Sequence, residues 1–249
     1  MTAEFWLLLL LVFVIALAYS SVGHGGASGY LALMSLFGFA PAQMAPSALS
    51  LNILVSGTAF LAYQRAGHFS LRLLLPFVLT SIPGALLGGL TQVSTRTYSL
   101  LLGGVLVFAA LRLGLQPRSP RDENWLAPPR PQVALPFGAG IGYLSGIVGV
   151  GGGIFLSPLM LLLRWADAKR TAAASAAFIL FNSASGLYGH LSRGGLDWRG
   201  LLPLVGAAFA GGLLGSRIGA RHLPGVWLRR ILAVVLAVAA FKMLRTALG

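Results

Sequence analysis

Cysteine is absent from this chain, and acidic residues nearly so: five Asp and Glu in 249 residues. Without thiols there is no disulfide framework and no thiolate metal centre. No carboxylate falls inside an apolar stretch, so metal transport is disfavoured too, and neither a metal nor a cofactor is expected. Charged residues of both signs make up only 9% of the chain, where a soluble domain carries about 25%. The balance is apolar: 57% hydrophobic residues and a mean hydropathy of +0.84. That composition implies an integral membrane protein. Its apolar runs are continuous rather than alternating every second residue, which selects helices over a barrel.

The few charges are lopsided, with a net charge of +13, but they do not imply a nucleic-acid partner. Lys and Arg stand mainly at the ends of apolar segments, where loops and lipid headgroups favour them. The opening Met1-Thr2-Ala3-Glu4 has no basic leader, so a cleaved signal peptide is not expected.

Glycine, by contrast, is abundant, at 33 residues, and its placement is informative. Val22-Gly23-His24-Gly25-Gly26 interrupts one apolar stretch, and Val148-Gly149-Val150-Gly151-Gly152 interrupts another 126 residues later. The flanking apolar segments fall at about 5–19, 29–39, 46–63, 73–91 and 98–115, then 133–148, 153–163, 171–191, 201–220 and 226–248. Other features match at nearly the same offset. Asn52 finds Asn182, Arg65 finds Arg193, Pro76 finds Pro203, and the Gly84–Gly88 stretch finds Gly211–Gly215. Five matches in order imply a duplication: a membrane repeat over 1–115, a polar linker over 116–132 and a second repeat over 133–249. The expected fold is all-α and polytopic, each repeat a glycine-broken or re-entrant helix followed by three transmembrane helices.

Length does not decide between a re-entrant hairpin and one kinked span, because a first piece of 15 residues covers only about 22 Å of a roughly 30 Å hydrocarbon core. Charge counting favours hairpins. With three crossings per half, 13 of the 18 Lys and Arg fall on one side and five on the other. By the positive-inside rule the halves are then inverted, with the linker in the cytoplasm and both termini outside.

Broken helices placed symmetrically in two halves point to a transporter's binding site. Unwound backbone leaves amides that cannot face lipid, glycine lets a ligand approach them, and the helix starting after each break offers N–H groups and a positive dipole end. Helix starts are expected at Ser28–Tyr30 and Gly153–Phe155. The natural ligand is a small anion. The residues expected to bind it are Gly23, His24, Gly25 and Gly26 at the first break, Gly149, Gly151, Gly152 and Gly153 at the second, and the intramembrane amides Asn52 and Asn182. His24 either binds the anion or carries a coupled proton, or else is a neutral histidine bonded to a freed carbonyl. His190 and the repeat-related Arg65 and Arg193 read as interfacial anchors. Ser20, Ser21, Ser183 and Ser185 are further donors, unless they bond their own helices.

The stretch Gly146-Ile147-Val148-Gly149-Val150-Gly151-Gly152-Gly153-Ile154-Phe155-Leu156-Ser157-Pro158, with Gly23-His24-Gly25-Gly26 and the two asparagines, resembles the signature of the TauE/SafE sulfite-exporter family of membrane permeases. The resemblance covers nearly the whole chain. It implies alternating-access movement of sulfite, an organosulfonate or a related sulfur-containing organic anion across the cytoplasmic (inner) membrane, with lipid as the surrounding partner. Two other classes remain at this level: an anion channel, and an intramembrane serine protease using Ser28 of Gly26-Ala27-Ser28-Gly29 with His190 as base. The duplication weighs against the protease, since Ser28 aligns with Ile154. No enzyme activity is expected.

Overall fold

The computed structural model describes residues 3–114, 129–194, 196, 198–221, 236–237 and 240–248. Most of the 116–132 linker lies outside the described residues. Nine helices run in order among the described residues: α1 Ala3–Ser20, α2 Ala27–Leu36, α3 Pro41–Arg65, α4 Leu71–Leu90, α5 Thr95–Gly114, α6 Pro131–Val148, α7 Gly153–Leu162, α8 Ala168–Leu191 and α9 Trp198–Arg221. Residues 240–248 are helical as well. Among the described residues, four helical stretches are long and apolar enough to cross a membrane: Ala3–Ser20, Pro41–Arg65, Leu71–Leu90 and Gly200–Ala220. Large apolar side chains such as Trp6, Leu79 and Leu202 stand exposed on the outside, as they must on a surface whose solvent is lipid.

The pieces flanking the two breaks have equal lengths, α1 and α6 at 18 residues and α2 and α7 at 10. The α1 helix is therefore longer than its apolar core of 5–19 suggested. The chain doubles back at each break. Gly29 in α2 lies against Ile15, well before the end of α1, so closely that a Cβ there would be 2.6 Å from Ile15 Cγ2. Gly152 likewise abuts Ile141 and Ser145 of α6. A kinked but continuous helix would hold Gly29 and Ile15 about 20 Å apart at 1.5 Å per residue. Both breaks are hairpins, which answers a question that length alone left open.

Helices α3 and α8 form the centre and run antiparallel. Leu49 meets Gly186, Asn52 meets Ser183, and Tyr63 packs with Ala172 and Ala173. Around them the neighbours reciprocate: α4 packs on α6 and α9 on α1, while α4 also packs on α8 and α9 on α3. Both outer contacts are glycine seams. A Cβ at Gly84 would lie 2.8 Å from Ala139 O and one at Gly88 2.1 Å from Tyr143 O; at Gly211 and Gly215 the corresponding atoms are Phe13 O at 2.2 Å and Leu17 O at 2.1 Å. Each seam is a small-xxx-small stripe that lets two backbones touch, the usual means of association where lipid removes the hydrophobic drive.

These seams make a direct test. Gly88→Ala places a methyl on backbone that cannot swing aside and should cost about 1–3 kcal/mol. Gly104→Ala, where a Cβ would meet nothing, should change stability by no more than about 0.5 kcal/mol. Melting curves of the two purified variants in one detergent check the contrast.

Candidate functional site

The α2 helix starts at Ala27 and α7 at Gly153, each preceded by a left-handed glycine: Gly26 at φ 96° and Gly152 at φ 83°. Neither has a side-chain cap of its own. An L-residue with a Cβ resists this conformation, which turns the chain from the break into the short helix. The first-turn N–H groups of both short helices consequently open toward the break.

The two breaks meet at Asn52, midway along α3. Its Oδ1 accepts from the Ala27 N–H at 3.1 Å and its Nδ2 donates to Ser183 Oγ at 3.3 Å. The amide is wedged between the breaks: a Cβ at Gly25 would fall 2.2 Å from Asn52 Oδ1, and one at Gly151 2.6 Å from Asn52 Nδ2. Ile179 of α8 touches Gly25, Gly151 and Gly153 from the other side. Asn52 is thus both a clamp on the unwound chain and the cap of α2. Asn182 behaves differently. Its Nδ2 turns back to Phe178 O in its own helix, at 2.9 Å, and its buried Oδ1 has no partner. Asn52 and Asn182 do not play matching parts.

His24 links the first break to the other half of the chain. Its Nδ1 lies 3.0 Å from Val22 O, and a carbonyl can only accept, so this nitrogen carries the proton. Its Nε2 is left to accept from Ser157 Oγ at 3.1 Å, and Ser157 pairs with Ser175 at 2.7 Å. The contact to Val22 O is the bond to a freed carbonyl considered for a neutral histidine. Of the break glycines, Gly23 and Gly149 lie away from Asn52, against Ala172 and Ala45 near the starts of α8 and α3. A narrow cleft remains, lined by Tyr19, His24, Gly25, Gly26, Ala27 and Ser28 with Val150, Ile154 and Ile179.

Several other polar residues singled out from sequence have structural partners. His190 Nε2 donates to Gly146 O at 2.8 Å, and Arg193 bonds both His190 Nδ1 and Thr91 O. Tyr63 Oη does for α1 what His190 does for α6, donating to Ser21 O at 2.8 Å. Ser20 and Ser21 bond their own helix, and Ser185 bonds Ile82 O on α4. Ser28 Oγ pairs with Tyr19 Oη at 2.9 Å, and His190 is engaged elsewhere, so the two do not form a dyad. At the far end of α2, Lys242 Nζ bonds Ser35 O and, at 3.3 Å, Leu36 O. The cation covers the negative end of the short helix. Sequence reasoning missed Tyr19, Tyr30, Ser175 and Ile179 because such types also fill ordinary helix cores. Ser157 was visible only as part of a glycine-rich signature.

Broken short helices inside a bundle of apolar spans define a multi-pass membrane transporter. The family model of the sulfite exporter TauE/SafE family matches residues 8–243. The chain is 41% identical to a probable membrane transporter of Sinorhizobium fredii, y4hK, over 93% of this chain and 95% of that protein. It is 30% identical to a probable membrane transporter of a Sinorhizobium species, ORF9, over 88% and 84%, and 26% identical to the probable membrane transporter YunE of Bacillus subtilis, over 71% of each. No solved structure matches. The chain belongs to the TauE/SafE family and is a membrane transporter.

Asn52→Ala should strip the cap from Ala27 and leave a buried N–H unpaired, lowering stability by about 1–3 kcal/mol. Asn182→Ala removes an orphaned oxygen along with its amide and should cost clearly less. Thermal unfolding of the two variants measures the difference.

Proposed function

We propose that this chain carries a small anion, of the class of sulfite, an organosulfonate or a related sulfur-containing organic anion, across the cytoplasmic membrane by alternating access between two inverted repeats. The observation that carries the reading is the meeting of two glycine-broken hairpins at the middle of the antiparallel α3 and α8. Each hairpin turns the positive end of a short helix, α2 or α7, toward the break, and such ends favour anions.

Inversion is supported by direction. Halves related by an axis along the membrane normal would set α3 and α8 parallel, whereas an axis in the membrane plane sets them antiparallel. The reciprocal pairs α4 with α6 and α9 with α1, with their matching glycine seams, support the same twofold relation. Two hairpins also restore the 13-to-5 split of basic residues, so the linker belongs in the cytoplasm and both termini outside. A coupled proton would travel on His24, which bonds Ser157 of the opposite half.

Three measurements test this reading. Uptake of sulfite or a sulfonate into cells or proteoliposomes should be abolished in Gly25→Val and Gly151→Val at normal expression, since both side chains would collide with Asn52. Retained transport in both would remove the central role of the breaks. His24→Gln should flatten the pH dependence of uptake between about pH 5 and 8; an unchanged profile leaves His24 as a latch only. A single cysteine in Asn124→Cys should escape a membrane-impermeant maleimide in intact cells and react after permeabilisation. Labelling of intact cells would reverse the orientation.

A further inference from the structure

Both central helices end on a staple, and the two staples differ in chemistry. Near the end of α3, Tyr63 Oη donates to Ser21 O, just past α1, at 2.8 Å. Near the end of α8, His190 Nε2 donates to Gly146 O, in the last turn of α6, at 2.8 Å. Each takes a carbonyl that the neighbouring break deprives of a helical partner. Because α3 and α8 run antiparallel, the staples lie at opposite ends of the bundle. A phenol ordinarily keeps its proton to about pH 10, whereas an imidazole titrates near pH 6.5, at about the acidity of its surroundings. His68 lies beside Tyr63, with ring centroids 6.4 Å apart, yet the bond to Ser21 O is the phenol's own. Only the His190 staple is open to protons.

The structure fixes the state of that ring. A carbonyl can only accept, so Nε2 holds the proton and Nδ1 is bare. Arg193 Nη2 stands 2.6 Å from Nδ1, and its Nη1 donates to Thr91 O, at the end of α4, at 3.0 Å. A guanidinium can only donate, so the ring it bonds is neutral. Three helices converge here with no room for a Cβ between them: Gly89 lies against Gly186 O, Gly189 against Leu86 O, and Gly146 against Ala85 O. Further along α8, Ser185 bonds Ile82 O, but at the ends of α4 and α8 the tie is Arg193. Among the described residues no other charge faces His190. From α4 come Thr91 and glycine backbone, and from α6 come Gly146 and the Tyr143 phenol, which shares a hydrogen bond with Thr91 Oγ1 at 3.3 Å.

We propose that His190 and Arg193 form a proton-operated clip on one face of the transporter, the face at which α8 ends. A proton arriving from solvent binds Nδ1, takes the lone pair that Arg193 uses, and sets imidazolium against guanidinium at hydrogen-bonding distance. The ring keeps its bond to Gly146 O, because Nε2 keeps its hydrogen. What is expelled is Arg193, and with it the bond to Thr91 O. Acid therefore frees the end of α8 and the turn after it from α4, while the Tyr63 staple at the opposite end is unmoved. The clip is fully closed above the histidine range and opens as the pH falls through it. On the topology proposed above this is the outer face, so acid outside the cell loosens the outer closure alone. Only that placement rests on the transport reading; the chemistry of the clip is independent of the substrate.

The chain has no cysteine, so spin labels at Gln92→Cys and Ser192→Cys, both exposed, report the distance between the ends of α4 and α8 in the purified full chain. At pH 8 the distance distribution should be single and short. By pH 5 a longer population should appear, with its midpoint between about pH 5 and 7. In His190→Gln an amide supplies a donor and an acceptor and cannot titrate, so the short distance should persist at both pH values. In Arg193→Gln the longer population should be present already at pH 8. Labels at Gln64→Cys and Lys169→Cys, at the Tyr63 end, should show no response. A wild-type distance unchanged between pH 8 and 5, a pH response that survives in His190→Gln, or an Arg193→Gln chain still short at pH 8 would each overturn the clip. Loss of the melting transition at pH 5 would do the same, since a clip opens without dissolving the fold. Ser192→Cys should react with an impermeant maleimide in intact cells, and reaction only after permeabilisation would overturn its placement on the outer face. A chain that moves no sulfite or sulfonate would overturn the anion-carrier reading and leave the clip standing.

Discussion

A peptide group opened by a helix break cannot be left facing hydrocarbon, and much of this architecture follows from that constraint. Two breaks free two sets of amides and carbonyls in the middle of an apolar body. The protein answers by folding each break into a hairpin and burying both against α3 and α8. Asn52 takes the first N–H of α2, His24 takes the carbonyl of Val22, and Lys242 covers the last carbonyls of α2.

Close approach is the second requirement, and glycine meets it in two distinct ways. At Gly26 and Gly152 the need is conformational, a left-handed turn into a helix. At Gly84, Gly88, Gly211 and Gly215 the need is space, because carbonyls of the neighbouring helix occupy the volume a side chain would take. The same residue type thus builds both the site and the scaffold, which is why glycine content alone could not separate them.

Much of the framework was legible from sequence because its apolar runs are continuous and its glycine-rich cores stand out. Continuous apolar runs marked the helices, and the two Val-Gly-x-Gly-Gly cores marked the breaks to within a residue or two. Side-chain partnerships were not legible. Asn52 and Asn182 align as equals, yet one holds the site together while the other bonds its own helix, a difference set by which neighbour each amide happens to face. Tyr30 carries no signal at all in a chain where aromatic residues mostly fill the core. His24 was legible as a polar group inside the break, but nothing in the sequence placed Val22 O and Ser157 on its two nitrogens.

The pairing of α4 with α6 and α9 with α1 has a consequence for how the chain is made. Each hairpin leans on a helix from the other half of the sequence. Until α6 emerges the glycine face of α4 has nothing to seat against, and α1 waits for α9, which begins only at Trp198. The first half is therefore an incomplete object in the bilayer, and the two hairpins lock only once synthesis is nearly over. The two packed groups, α1 with α9 and α4 with α6, are for the same reason composites of both halves, with boundaries that run across the gene rather than along it.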